Sequence, residues 1–120
     1  MGSTYLHEEQ VGIHCDKLNL TEWLVAKPAA TYFVRVSGDS MEEAGILDGD
    51  ILIVDRSIKP CHGDTVIASV NGEFTVKILA LKPRLKLLPR NSKYEAIVIK
   101  EGMDFAFFGV VSGVVRQVSR

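Results

Sequence analysis

A single, mainly β domain with one or two short helices and an extended N-terminal arm is the fold class this sequence predicts, on three observations. Apolar runs recur at short intervals from residue 31 onward, at 31–36, 51–54, 65–70, 73–77, 85–88, 96–99 and 105–118. Turn-forming residues separate them, and Asn71-Gly72 between two such runs is the strongest hairpin signal in the chain. Only the stretch opening at Asn19 carries clear helix-start chemistry.

Composition bounds the rest. The chain has 120 residues, long enough for one domain with a real core, and is 47% hydrophobic and 24% charged. Its formal net charge of -1, with both signs spread along the chain, argues against binding nucleic acid through a broad basic face. No apolar run approaches a membrane span, and no signal peptide is visible. Cys15 and Cys61 are too few for a disulfide framework, and no Cys/His cluster has metal-site spacing, so no metal or cofactor is expected. A cytoplasmic protein with reduced thiols is the simplest reading.

Residues 1–18 form the arm and residues 19–120 the domain. The apolar residues of the arm, Tyr5, Leu6, Val11 and Ile13, are separated by polar ones, so burial would offset little ordering entropy. A mobile arm that leaves the functional site open is therefore expected, with His7 and His14 solvated. Asn19 and Glu22 match a capping box, opening a short helix whose apolar face is Leu20, Trp23 and Leu24 and which Pro28 stops. Trp23 reads as the docking anchor of that helix. The strand at 31–36 runs into a tight turn, 37–41 (SGDSM), followed by about one helical turn and Gly45 at the position after its end. Asp48, Asp50 and Asp55 lack calcium-loop spacing and read as turn formers. His62 falls in the loop at 57–64 and reads as exposed. A two-residue loop at Asn71-Gly72 sets Val70 opposite Glu73 and Val66 opposite Lys77, with Lys77 ending the strand far from the hairpin tip.

Two residues carry candidate chemistry. Ser40 stands at the strand-to-helix turn, where backbone N–H groups point outward. A serine hydroxyl becomes a nucleophile when a base takes its proton in the transition state. Lys77 is a base only if it is dry, since at an ordinary pKa of about 10.4 roughly 0.04% is neutral at pH 7. Phe74, Val76, Ile78 and Leu79 offer apolar surroundings that disfavour the ammonium. Glu73, on the same strand, lies about 13 Å away along it, too far to pair. The amide of Met41 is the natural first donor to an oxyanion. Spacing alone leaves the alternative open, in which Ser40 caps the following turn and Lys77 ends a strand in water.

Together, SGDSM at 37–41, GILDGDILIVD at 45–55, GEFTVK at 72–77 and LPRN at 88–91 closely resemble the LexA/UmuD-like family of Ser-Lys self-cleaving peptidases, peptidase S24. The resemblance runs from about residue 19 to 118 and is nearest to the UmuD side of the family. It implies a LexA C-terminal-like, β-clip domain that dimerises, with Ser40 as nucleophile and Lys77 as general base. The implied role lies in the DNA-damage (SOS) response and SOS mutagenesis. There the processed form joins the catalytic subunit (UmuC-like) of a translesion polymerase, and a RecA–single-stranded DNA filament stimulates cleavage. The family cuts its own arm at an Ala-Gly or Cys-Gly bond, which would fall near Tyr5; none stands there, and Val11-Gly12 is the nearest substitute. A processed, UmuD′-like chain without direct sequence-specific DNA binding is the expectation. A signal-peptidase-like processing protease and a non-catalytic interaction module of the same fold are the alternatives.

Overall fold

Alternation of apolar residues, broken by Gly-containing turns, sets nearly every strand. The computed structural model describes the backbone at residues 4–7, 12–15, 17 and 19–118, and side chains at 17 and 19–118. Two short strands, β1 (Thr4–His7) and β2 (Gly12–Cys15), pair antiparallel as a separate ribbon within the expected arm. Positions 1–3, 8–11, 16 and 18, on which the expectation of mobility also falls, lie outside the described residues.

The helix α1 (Leu20–Leu24) starts where the capping residue stands: the amide of Glu22 donates to Asn19 Oδ1 at 3.2 Å. Its anchor is not the expected one. Trp23 stays 66% exposed, and it is Leu24 that reaches the sheet, beside Gly113 and Ile53. A helix this short turns only one narrow side to its support, and Leu24 holds it. The helix ends at Val25, ahead of Pro28, which instead opens a 3-10 turn at Pro28–Ala30.

Seven antiparallel strands follow: β3 (Thr31–Arg35), β4 (Ile51–Asp55), β5 (Thr65–Val70), β6 (Glu73–Ala80), β7 (Lys86–Leu88), β8 (Ile97–Val98) and β9 (Phe105–Val115). Their spatial order is β3-β4-β9-β5-β6-β7-β8, so the last strand lies between the first and second hairpins of the sheet. The mainly β architecture is the predicted one. The β5–β6 register is also as predicted, with Val70 opposite Glu73 and Val66 opposite Lys77. Asn71 (φ 49°) and Gly72 (φ 85°) both take positive φ, as a two-residue turn of this hand requires. The strand does not end at Lys77, however. It continues through Ala80 because Ile78, Leu79 and Ala80 pair with β7, which places Lys77 in the strand's interior.

β9 shifts register by a bulge against each neighbour, between Ile53 and Val54 on β4 and between Ile67 and Ala68 on β5. Gly109 sits there because a Cβ would stand 2.6 Å from Val54 Cγ1. Two buried clusters fill the interior. One gathers Val36, Met41, Ile46, Leu52, Val54 and Ile67, the other Val66, Ala68, Leu79, Leu87 and Val110. No helix among the described residues is long and apolar enough to cross a membrane.

Asp50, expected only to form a turn, is buried and pairs with Arg116 across the molecule: Nε donates to Oδ1 at 2.7 Å and Nη2 to Oδ2 at 2.8 Å. Arg116 Nη2 also donates to the carbonyl of Gly45 at 2.8 Å. The guanidinium hydrogen bonds hold the carboxyl of Asp50 below its usual range. Because the folded pKa is depressed, this stabilisation is present above the ordinary carboxylate value and is lost as pH falls through the folded one. Arg116→Ala is expected to lower the unfolding free energy at neutral pH, because it leaves the buried Asp50 carboxylate without its partner. In urea titrations the gap between variant and parent should close as pH falls below about 3.9.

Candidate active site

The turn at 37–41 is held from three sides. The amide of Gly38 (φ 100°) donates to Asp48 Oδ1 at 2.8 Å, so the carboxylate expected to shape its own turn also ties down this one. Beyond it the side chain of Met41 is only 1% exposed and sits in the first cluster. The following 3-10 turn, Glu42–Ala44, ends on Gly45 in the left-handed region (φ 81°), as its position in the sequence suggests. From the far side, the amide of Arg90 donates to the carbonyl of Ser40 at 2.7 Å and Asn91 Nδ2 to the carbonyl of Asp39 at 2.9 Å. Tyr94 donates its hydroxyl to Asp39 Oδ1, and that carboxylate raises the pKa of the phenol.

Ser40 Oγ lies 2.9 Å from Lys77 Nζ, although 36 residues separate the two in the chain (77 − 40 − 1). Lys77 is 8% exposed, and no carboxylate pairs with it among the described residues. Burial alone pushes its pKa below the ordinary lysine value. The folded chain thus holds this proton less tightly than the unfolded chain. The resulting cost in stability is present below the lowered pKa and disappears as pH rises through the ordinary one.

Sequence reasoning missed Thr75. Its Oγ1 lies 2.6 Å from Nζ, and the carbonyl of Val76 lies 3.2 Å away. The signal was available, since residues two apart on a strand share a face. Its effect is directional. A neutral amine has two hydrogens and one lone pair; with the Val76 carbonyl and Thr75 Oγ1 accepting the hydrogens, the lone pair is left for the hydroxyl of Ser40.

The pair lies in a cleft of about 470 Å³ lined by Val34, Val36, Leu52, Phe74, Val76 and Ile97, among others. His62 stands outside it, as expected in a loop, and its Nδ1 accepts from the amide of Leu81 at 2.9 Å. Cys61 is an exposed free thiol in the same loop.

A mainly β domain sets a serine against a buried lysine that has no carboxylate partner among the described residues, in a cleft at the edge of the first buried cluster. The family model described as "Peptidase S24-like" matches residues 1–112, and the chain belongs to that family. It is 46% identical over 102 residues to Protein SamA of Salmonella typhimurium, covering 85% of this chain and 71% of that one. Protein MucA of Salmonella typhimurium is also 46% identical over 102 residues, with 84% and 70% covered. The LexA repressor of Xylella fastidiosa is 39% identical over 102 residues, covering 84% of this chain and 48% of the repressor. The resemblance read from the four motifs is therefore borne out.

Thr75→Val is expected to lower the Lys77 pKa further, because a methyl group replaces a polar neighbour of the ammonium. Carbon-13 NMR of the Lys77 side chain should show the parent titrating below about 10.4 and the variant lower still. A parent titrating at or above the ordinary value would contradict the dry environment.

Proposed function

We propose that this chain is a serine peptidase in which Ser40 is the nucleophile and Lys77 the general base. The 2.9 Å contact between Ser40 Oγ and a lysine amine buried without a carboxylate partner carries this reading. Neutral Lys77 takes the hydroxyl proton as Oγ attacks the scissile carbonyl, forming the Oγ–C bond. The amides of Ser40 and Met41 donate to the oxyanion, and the lysine ammonium returns its proton to the leaving amine as the C–N bond breaks. Water, deprotonated by Lys77, then hydrolyses the acyl-enzyme. The rate follows the neutral fraction of Lys77 and so rises with pH up to its lowered pKa.

Family membership supports a narrower version. In it the protein cleaves its own N-terminal arm. The processed form serves a translesion polymerase catalytic subunit as a UmuD-like accessory in SOS mutagenesis, with a RecA–single-stranded DNA filament stimulating cleavage in the cytoplasm. A homodimer belongs to the same reading. Phe33 pairs with Ile53, which pairs with Gly113, so Phe33 shares the sheet face on which Leu24 docks. Exposed Phe33, Val115, Leu20 and Trp23 extend that face as apolar surface suited to a second copy.

Ser40→Ala and Lys77→Ala are each expected to lower cleavage of a UmuD-like substrate, supplied in trans, by about 10⁴-fold or more, with the double variant no worse, because proton removal and attack act as one unit. Near-normal cleavage by Lys77→Ala would remove the lysine-base role, and inactivity of the parent would favour the interaction module. Sedimentation at micromolar concentration should give a dimer, which Phe33→Glu weakens; a parent that remains monomeric would overturn the dimer reading.

A further inference from the structure

The chemistry proposed above needs N–H donors aimed at the point where negative charge develops, and the donors on offer are backbone amides. A side chain cannot aim an amide directly, but it can hold the carbonyl of the same peptide group. The group is planar and trans, so its C=O and N–H point in opposite directions. Fixing the Asp39 carbonyl thus fixes the direction of the Ser40 N–H, and fixing the Ser40 carbonyl fixes that of Met41.

Both carbonyls are gripped from one segment. Asn91 Nδ2 holds the Asp39 carbonyl at 2.9 Å and the amide of Arg90 holds the Ser40 carbonyl at 2.7 Å. The amide of Glu42, 3.2 Å from the Asp39 carbonyl, adds a longer bond from within the following turn. Neither the Ser40 amide nor the Met41 amide has an acceptor among the described residues. Asn91 is itself fixed. It is buried, the amide of Lys93 donates to its Oδ1 at 3.0 Å, and the amide of Tyr94 donates to its carbonyl at 3.1 Å. The Oδ1 contact also settles which end of the side-chain amide faces Asp39, leaving Nδ2 as the donor toward the turn. Arg90 is anchored in turn, since its carbonyl accepts from the amide of Glu43 at 2.7 Å.

We infer that Asn91 is a positioning residue that holds the Asp39–Ser40 peptide plane so that the Ser40 N–H is aimed at the oxyanion before substrate arrives. This inference rests on the peptidase reading. Asn91 touches no reacting atom, and its effect passes through the backbone of the nucleophile's own turn. The predicted loss therefore belongs to the transition state and not to substrate binding.

Two variants test it. Asn91→Ala removes the donor, while Asn91→Asp keeps the size and the Oδ1 acceptor but sets a carboxylate oxygen against the Asp39 carbonyl. Cleavage of a peptide in trans at about pH 9, where a carboxyl is ionised, should show kcat lowered about 10²-fold in both, the scale of losing one oxyanion donor. KM should stay in place in both, and the lysine limb of the pH–rate profile in the uncharged variant Asn91→Ala. Affinity for a peptide boronate, whose tetrahedral adduct on Oγ puts an oxygen where the oxyanion sits, should fall by the same factor as kcat. In solution NMR the N–H residual dipolar coupling of Ser40 should change from the parent's. If Asn91→Ala fails to fold, the isosteric Asn91→Asp carries the test.

Unchanged kcat in a folded variant overturns the inference. A kcat loss accompanied by raised KM and a displaced lysine limb does so as well, because it marks general loosening. An unchanged Ser40 coupling overturns it even when the peptidase reading stands. A parent that cuts no peptide, while its Ser40 coupling still responds to Asn91, overturns the peptidase reading and leaves the hold on the peptide plane in place.

Discussion

Everything at this site depends on keeping one amine dry. A lysine ammonium in water is the stable form by several powers of ten at neutral pH, and exclusion of water without a compensating carboxylate weakens that preference. The fold meets the condition by strand pairing. Val66, fully buried, stands opposite Lys77 on the neighbouring strand, and the pairing of residues 78–80 with β7 carries the sheet past the lysine, so it is not left at a frayed end. Thr75 and the Val76 carbonyl then give the amine's hydrogens somewhere to point. Burial alone makes the ammonium a stronger acid; the two acceptors also give the lone pair a direction.

The serine is fixed by a different means. Its turn has little regular structure of its own, and its rigidity comes from neighbours that are distant in sequence. Asp48 holds Gly38 from one turn, Met41 plugs the core on the other side, and the 90–94 segment grips the carbonyls between. Each of the hydrogen bonds uses a polar backbone group that would otherwise need water. Satisfying the backbone and orienting Ser40 are therefore achieved by the same bonds.

What could be read from the sequence follows from how local each signal is. The Asn71-Gly72 turn fixed the β5–β6 register because turn type and pairing are set within a few residues. Asn19 and Gly45 fulfilled their capping roles for the same reason. Ser40 and Lys77 stand out by their turn and strand settings and by the resemblance to the family's motifs, and the structure brings them within hydrogen-bond distance. Apart from Thr75, the misses are long-range. Arg116 reaching Asp50, β7 extending the lysine strand, and Leu24 in place of Trp23 as the helix anchor each depend on a partner that no local pattern announces. Thr75 was missed although its signal was local, because a threonine on a strand is ordinarily read only for its β propensity.

The placement of β9 governs when the site can exist. Ser40 follows the first strand of the β3–β4 hairpin, Lys77 lies on the β5–β6 hairpin, and the two hairpins are joined edge to edge only through β9, the last strand of the chain. Each hairpin is a local structure able to form early, but the pairings that unite them span long stretches of sequence, and closing such loops is slow. During synthesis the serine and the lysine therefore emerge well before the strand that brings their hairpins together. Assembly of the sheet thus acts as a clock set by β9: a nascent chain that has made both hairpins but not β9 lacks the strand that pairs them edge to edge.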